Sequence, residues 1–446
     1  MTSTEVYDVV GVGIGPFNLS LAALAEPVAD LRTLFLDAKP RFSWHPGLML
    51  DGAMLQVPFL ADLVTLTDPT SRWSFLSYLR EHNRLFPFFI LERFHVPRRE
   101  YDHYCRWVAE SLPCCRFGST VDSVTWDDGQ FTVEYADATT GHRLAARARN
   151  VVLGVGTQPA VPEPLRHIVG ERAFHAASYL DKRDTLPEGA DVTVVGSGQS
   201  GAEVFLDLLR IQPERGWRLR WLTRSPAFAP MEYSKLGLEH FTPDYLRYFR
   251  GLAGAVRDRL VPAQWQLYKG ISEETIGQIY DLLYERGSCG AAPEITMMPN
   301  VAVTAADDTG DGVRLSCHHL EQDRAYSVTT DRVVLATGYA AHRPTFLGPL
   351  GALVEWDSDG RYQVDEQYRV SLDPGVTGSL YVQNAELHTH GVGAPDLTLG
   401  AWRAATILNA IAGRPVQPVP AATSFTTFGL PVPSGRRNEL VARSAP

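Results

Sequence analysis

Two glycine turns constrain this chain more than any other feature. The first, Gly11-Val-Gly13-Ile-Gly15-Pro16, follows the apolar run at residues 6–10 and precedes a helical stretch, NLSLAALAEPV. A second apolar run, LRTLFLD, then ends at Asp37. Glycines let the backbone turn tightly and approach a pyrophosphate, and the helix N-terminus behind them favours its negative charge. An acid about 20 residues on can hydrogen-bond a ribose hydroxyl. The turn departs from G-x-G-x-x-G in having Pro16 in the third place, where the first turn of a helix accepts it. The second turn, Gly196-Ser-Gly198-Gln199-Ser200-Gly201, matches the full spacing, and its next strand ends in Thr223-Arg224-Ser225 with no acid. An arginine there favours a 2′-phosphate, hence NADPH over NADH.

One such turn is weak evidence; an N-terminal unit with an acid and a central unit with an arginine are much stronger. The pattern is that of an FAD domain with a nicotinamide domain inserted into it. The predicted class is α/β, with two Rossmann-like dinucleotide-binding domains and a small, mostly helical substrate region. The expected boundaries are an FAD-binding part at 1–165 and an NADPH-binding domain at 185–330, with the helical substrate region at about 235–290. A second FAD part with substrate-site residues follows at 331–412, then a Pro-rich, loosely ordered tail at 414–446. Gly154-Val-Gly156 and Ala336-Thr337-Gly338-Tyr339 follow apolar strands and read as the crossings between domains, Thr337 and Gly338 being candidate cofactor contacts. Helical periodicity marks 70–110, strands mark 121–153 and GSLYVQN at 378–384, and LTLGAWRAATILNAIAG closes on Gly413.

The formal net charge is −10 without a run of Lys or Arg, which disfavours nucleic acid or an anionic membrane as partner. The N-terminus carries no secretory pattern and no apolar stretch reaches about 18 residues, so a cytoplasmic protein is expected. Cys105, Cys114, Cys115, Cys289 and Cys317 include no C-x-x-C pair. That counts against a disulfide framework, a Cys-ligated metal and a dithiol reductase; no metal site is expected.

The sequence resembles the N-hydroxylating flavin monooxygenases of hydroxamate siderophore biosynthesis, the lysine and ornithine N-monooxygenase family. GVGIGPFNLSLAAL, FSWHPGLMLDGAMLQVPFLADLVTLTDPTSRWSFLSYL, PRREYDHYCRW, LGVGTQP, FHAASY, VVGSGQSGAEVF, LATGY and THGVGAPDLTLGAWRAA carry the resemblance over roughly residues 5–412. It implies FAD and NADPH as cofactors, a flavin hydroperoxide that passes oxygen to a primary amine, and a dimeric or tetrameric homo-oligomer. By similarity, Trp44, His45 and Gln56 line the flavin with Leu55 against its ring. Gln199, Ser200 and Arg98 contact NADPH, and Arg224 with Ser225 takes its phosphate. Gln56 and Gln199 are the candidate catalytic residues. Each has a plainer reading as core, as a loop hydrogen-bonder or as a solvated surface group.

The amino-acid hydroxylases of this family read F-(L/I)-K-D-L where this chain has Phe59-Leu60-Ala61-Asp62-Leu63, and that lysine is held to bind the substrate carboxylate. The family's Asn-containing segment is replaced near Tyr268-Lys269-Gly270-Ile271, and Thr398 stands where Ser is common. A carboxylate left without its cation would be desolvated unpaired. The expected substrate is therefore a diamine, putrescine or cadaverine, with Asp396 ahead of Glu232 and Glu239 as binder of the far ammonium. Alternatives are L-lysine or L-ornithine, with Lys235 or Lys269 replacing the lost cation, and an NADPH oxidase or flavin redox protein without oxygen transfer.

Overall fold

The computed structural model describes residues 6–288, 290 and 294–430; Cys289 and the last part of the tail, 431–446, lie outside the described residues. Strand β1 (Val6–Val12), helix α1 (Pro16–Ala25) and strand β2 (Thr33–Leu36) form the first βαβ unit, with β1 and β2 parallel. The helical stretch at 70–110 divides into α2 (Phe75–Glu81), α3 (Leu85–Leu91) and α4 (Arg98–Ser111). Asn83 and Glu92 make the breaks, each with positive φ. Strand β3 (Cys115–Arg116) then leads to β4 (Ser119–Asp127), β5 (Gln130–Asp137) and β6 (Arg143–Leu153), an antiparallel meander, and to short β7 (Thr157–Pro159).

The second unit is built from β8 (Ala173–His175), α5 (Tyr179–Arg183), β9 (Asp191–Val195), α6 (Gln199–Arg215) and β10 (Arg218–Leu222). Helices α7 (Pro243–Arg250), α8 (Gly254–Ala263), α9 (Trp265–Tyr268) and α10 (Glu273–Gly287) fill the stretch expected to be helical. Next come β11 (Ile295–Met298) and an antiparallel sheet of β12 (Val301–Asp308), β13 (Val313–His319) and β14 (Arg324–Thr330). The remaining elements are β15 (Arg332–Leu335), β16 (Tyr339–Ala341), β17 (Ser379–Val382), α11 (Leu387–His390) and α12 (Gly400–Ala412). Gly413, with φ of 65°, stops α12 in the left-handed conformation that glycine adopts freely.

The architecture is α/β with two Rossmann-like sheets. The first runs β3-β2-β1-β6-β5-β4, with β17 also on β6; the second runs β11-β10-β9-β15-β8 and is parallel throughout. Since β8 and β15 are its strands, the second sheet reaches beyond 185–330 on both sides. Buried Leu19, Tyr104, Ala405 and Leu408 lie in one core on the first sheet, and Val194, Phe205, Trp221 and Val334 in the core of the second. Between the sheets, β7 and β16 pair antiparallel, so the two glycine crossings run side by side.

The described part of the tail is not loose. Asp244 accepts the amides of Thr423 and Ser424, and Glu239 accepts those of Phe425 and Thr426. Phe428 packs its ring 5.0 Å from that of Tyr245. Proline content suggested looseness; two carboxylates that take up backbone donors overrule it.

Candidate active site

The two turns share one geometry. Gly15 (φ −89°, ψ 179°) caps α1 and Gly198 (φ −81°, ψ 178°) caps α6, and neither helix has a side-chain cap. The first-turn amides are thus left for an anion, the arrangement a pyrophosphate needs. Two residues earlier, Gly13 and Gly196 have φ of 88° and 115°. A Cβ on Gly13 would lie 2.5 Å from the Gly154 carbonyl, and one on Gly196 would overlap that of Ala336. A Cβ on Gly15 or Gly198 would meet nothing nearer than 3.9 and 3.6 Å, so the second glycines face open space where a ligand would approach.

Matching the caps corrects the register of the first motif: Gly13-x-Gly15-x-x-Asn18 corresponds to Gly196-x-Gly198-x-x-Gly201. Gly11 lies inside β1 opposite Phe35, whose ring fills the space a side chain would take. Pro16 is the first helical residue, and Asn18 holds the third place. Buried Asn18 donates to the Gly13 carbonyl at 2.8 Å and accepts from Gln383 Nε2 at 2.6 Å, tying the turn to the first sheet. Asp37 follows β2 as expected, and its carboxylate also accepts the Ile14 amide at 2.7 Å, which braces the turn.

Beside the paired crossings, the rings of Trp44, His45, Tyr339 and His175 stand in contact. Trp44 is half-buried, its amide held by Asp102 at 2.8 Å and its ring against Tyr101. His45 has φ of 49°, and its ring stands 5.7 Å from Tyr339. The residue is exposed on one side, yet desolvation by the surrounding protein, with Arg98 and Lys39 nearby, brings its imidazole down to about 4. It is therefore neutral at neutral pH. On the other side of Tyr339, the Ala177 amide donates to His175 Nδ1, so Nε2 carries the proton and donates to the Gly338 carbonyl at 3.0 Å. Thr337 donates to the Ala160 carbonyl at 2.6 Å, locking the crossing. The Tyr339 hydroxyl is buried and has no partner among the described residues, an orphan donor that an FAD bound here would satisfy.

Arg98 and Gln199 are tied to one another through protein partners. Arg98 makes a two-pronged ion pair with Glu203 at 2.9 and 2.7 Å and donates to the Leu48 carbonyl. Gln199 donates to Glu203 and Thr275 and accepts the Ser272 amide. Glu203, unnoticed in the sequence, thereby joins α4 of the first unit to α6 and the start of α10. Ser200 follows Gln199, half-buried in the first turn of α6. Leu55 packs within the first core, its amide on the Val96 carbonyl at 2.8 Å.

The second turn gathers cations. Arg224 is exposed, Ser225 donates its amide to Thr223 Oγ1, and that oxygen meets Ser197 Oγ at 2.7 Å. The carbonyl of Lys269 lies against Gly198, and burial together with Arg224 lowers its ammonium. Lys269 thus stands with Arg224 beside the second turn.

On the substrate side, Gln56 contacts Met231 Sδ at 3.8 Å and accepts the Tyr233 hydroxyl on its carbonyl at 3.1 Å. Tyr233 is pushed up to about 12 by burial and by the charge of Asp396. A cleft of about 610 Å³ adjoins, lined by Phe228, Met231, Glu232, Tyr233, Glu273 and Ile276. That is the usual size of a small-molecule site. Asp396 is half-buried, raised by that burial, and accepts the Thr398 amide at 2.8 Å. Glu239 belongs to the tail contact, not to this cleft. Lys235 is exposed.

The sequence profile of the L-lysine 6-monooxygenase/L-ornithine 5-monooxygenase family matches residues 5–341. The chain belongs to this family. It is 44% identical to a putrescine N-hydroxylase of Shewanella oneidensis, over 95% of this chain and 84% of that one. It is 46% identical to the rhizobactin siderophore biosynthesis protein RhbE of Rhizobium meliloti, over 95% of both chains. It superposes with a TM-score of 0.92 at 41% identity on FAD-bound DfoA, the desferrioxamine-pathway cadaverine monooxygenase of Erwinia amylovora, over 96% of this chain and 100% of that one.

Within this monooxygenase family member, the FLADL stretch is shaped by Asp62. Its buried carboxylate accepts the amides of Val64, Thr65 and Phe75 and the Thr65 hydroxyl. Ala61 beside it is buried, with only a methyl group where the amino-acid hydroxylases carry an ammonium. Sequence reasoning also passed over Asn18 and Tyr233. The shared spacing of the two turns is a signal for Asn18; Tyr233 is brought to Gln56 only by the fold.

Proposed function

We propose that this protein is an FAD- and NADPH-dependent N-hydroxylase of an aliphatic diamine, cadaverine or putrescine, acting in the cytoplasm in hydroxamate siderophore synthesis. The reaction is R-NH2 + O2 + NADPH + H+ giving R-NHOH + H2O + NADP+. The observation that carries the diamine is Ala61: the position offers no cation to a substrate carboxylate, while Asp396 and Glu232 offer anions to a second ammonium. The names of the putrescine- and cadaverine-acting relatives support the same reading.

FAD would lie along the Gly13–Asn18 turn and Asp37, with its ring toward Trp44, neutral His45, Gln56 and Tyr339. NADPH would lie on the Gly196–Gly201 turn, its 2′-phosphate taken by Arg224, Ser225 and Lys269. When bound, reduced FAD supplies the activation of oxygen. The chain positions the amine and keeps it neutral, because at a reference pKa of about 10.4 only ~0.4% is unprotonated at pH 8. Half-buried Asp396 would hold the far ammonium, leaving the near amine in the drier part of the cleft.

The test is hydroxylamine formation with NADPH and each of putrescine, cadaverine, ornithine and lysine. A kcat/KM at least about 100-fold higher for a diamine than for either amino acid is expected, since an unpaired buried carboxylate costs about 3 kcal/mol or more. Turnover of lysine or ornithine with neither diamine would overturn it. The two diamines differ by one methylene, worth only about 1–3 kcal/mol, so a moderate preference between them is expected.

A further inference from the structure

Arg403, on α12, and Glu386, just before α11, are both completely buried, each 0% exposed. Their charges pair at 2.8 Å, Nη1 to Oε1. Glu386 Oε2 also accepts the Ala385 amide. The other prong of Arg403 reaches away from its own helix: Nη2 donates to the Ala394 carbonyl at 2.7 Å and to the Gly393 carbonyl at 3.4 Å. The Gly393 carbonyl in turn accepts the Asp396 amide at 3.3 Å. The guanidinium carbon lies 4.3 Å from the ring centroid of Phe17, the second residue of α1. One planar fork thus touches three places: the loop that follows β17, the turn that carries Asp396, and the helix start behind the first glycine turn.

A buried ion pair contributes little net stability, because desolvation of both charges offsets their attraction. Stability alone therefore does not account for this arginine. Its rigid, planar fork is suited to holding separate pieces of backbone in one fixed relation. We propose that Arg403, braced by Glu386, is a positioning residue that holds the Asp396 carboxylate at a fixed place relative to the first glycine turn, a role that rests on the reading of Asp396 as binder of the far ammonium. Among the described residues, the Asp396 carboxylate is hydrogen-bonded only to Thr398, two residues on. That local contact shapes the turn but does not fix where it stands; the Arg403 fork does. Charge acts in the same direction. Burial raises Asp396, whereas the Thr398 contacts and then the Arg403 cation favour the ionised carboxylate that an ammonium needs.

The test is a double-mutant cycle on the FAD-loaded enzyme, with diamine KM, NADPH KM and FAD content measured for each variant. Arg403→Lys keeps a cation for Glu386 but gives up the fork. It is expected to raise the diamine KM about tenfold, the value of one charge-assisted contact, with NADPH KM and FAD content unchanged. Asp396→Asn is expected to raise the diamine KM at least as much. In the Asp396→Asn background, Arg403→Lys should add less than about twofold, because residues that act through one another are not additive. Should Arg403→Lys lose FAD, Arg403→Met/Glu386→Met removes both charges at near-neutral cost and takes its place in the cycle. A diamine KM that Asp396→Asn raises and Arg403→Lys leaves unchanged, or an equal rise from Arg403→Lys in both backgrounds, would overturn the positioning role alone. FAD loss from both Arg403 variants would mark the pair as a support of the fold and overturn it as well. A diamine KM unchanged in Asp396→Asn would overturn the reading of Asp396 itself, and the positioning role with it.

Discussion

The ion pair of Arg98 with Glu203 is buried, two-pronged and shared with Gln199. Removing one charge strands the other in a low dielectric, typically at a cost of about 3–5 kcal/mol, whereas apolar replacement of both is often near neutral. Glu203→Gln should therefore lower the urea midpoint sharply, and Arg98→Met/Glu203→Met should recover most of the loss; equal losses in both would contradict the strut. His45 gives a pH signature. Its folded value, about 4, lies below the ordinary value of 6.5. The depressed group stabilises the fold fully above pH 6.5, and that contribution is lost as pH falls from 6.5 toward 4. In paired melts, wild type should lose stability relative to His45→Asn across that window; a pH-independent difference would contradict a neutral imidazole. At the second turn, Lys269→Met should raise the NADP+ dissociation constant about tenfold, the value of one charge-assisted contact. NAD+ binding and diamine KM should be unchanged, and a raised diamine KM instead would place Lys269 in the substrate site.

The two turns show how far elements were legible. Strand, glycines, helix and distal Asp37 or Arg224 are local signals, and the fold has them where the spacing put them. The register of the first turn was misread because Gly11 completes the motif on paper, whereas in space Gly11 only makes room for Phe35. Cap geometry, invisible in a string of letters, decides for Asn18. The same geometry separates glycines for backbone from glycines for ligand. Gly198→Ala, at φ −81° with open space beyond, should weaken NADP+ binding measured by calorimetry while leaving the melting temperature within a degree or two. Gly196→Ala, at φ 115° against the Ala336 carbonyl, should lower both. Equal effects from the two would contradict the assignment.

At the scale of the whole molecule, the inserted arrangement was readable from order alone, since a second βαβ unit stands between two pieces of the first. The β12–β14 sheet was not, because its strands alternate polar and apolar residues beside charged turns and pair only among themselves. The described part of the tail, around residues 423–426, was misjudged because Asp244 and Glu239, which hold it, are remote in sequence. The substrate site was legible at Ala61 through a residue that is missing, but Tyr233, Gln56, Glu232 and Asp396 come together only through loops of both units. The central claim is that this assembly couples NADPH oxidation to hydroxylation of a diamine. Its most direct measurement is the ratio of hydroxylamine formed to NADPH consumed, with putrescine or cadaverine saturating and hydrogen peroxide followed in parallel. A ratio near one with little peroxide is predicted; NADPH consumption that yields peroxide alone would contradict it.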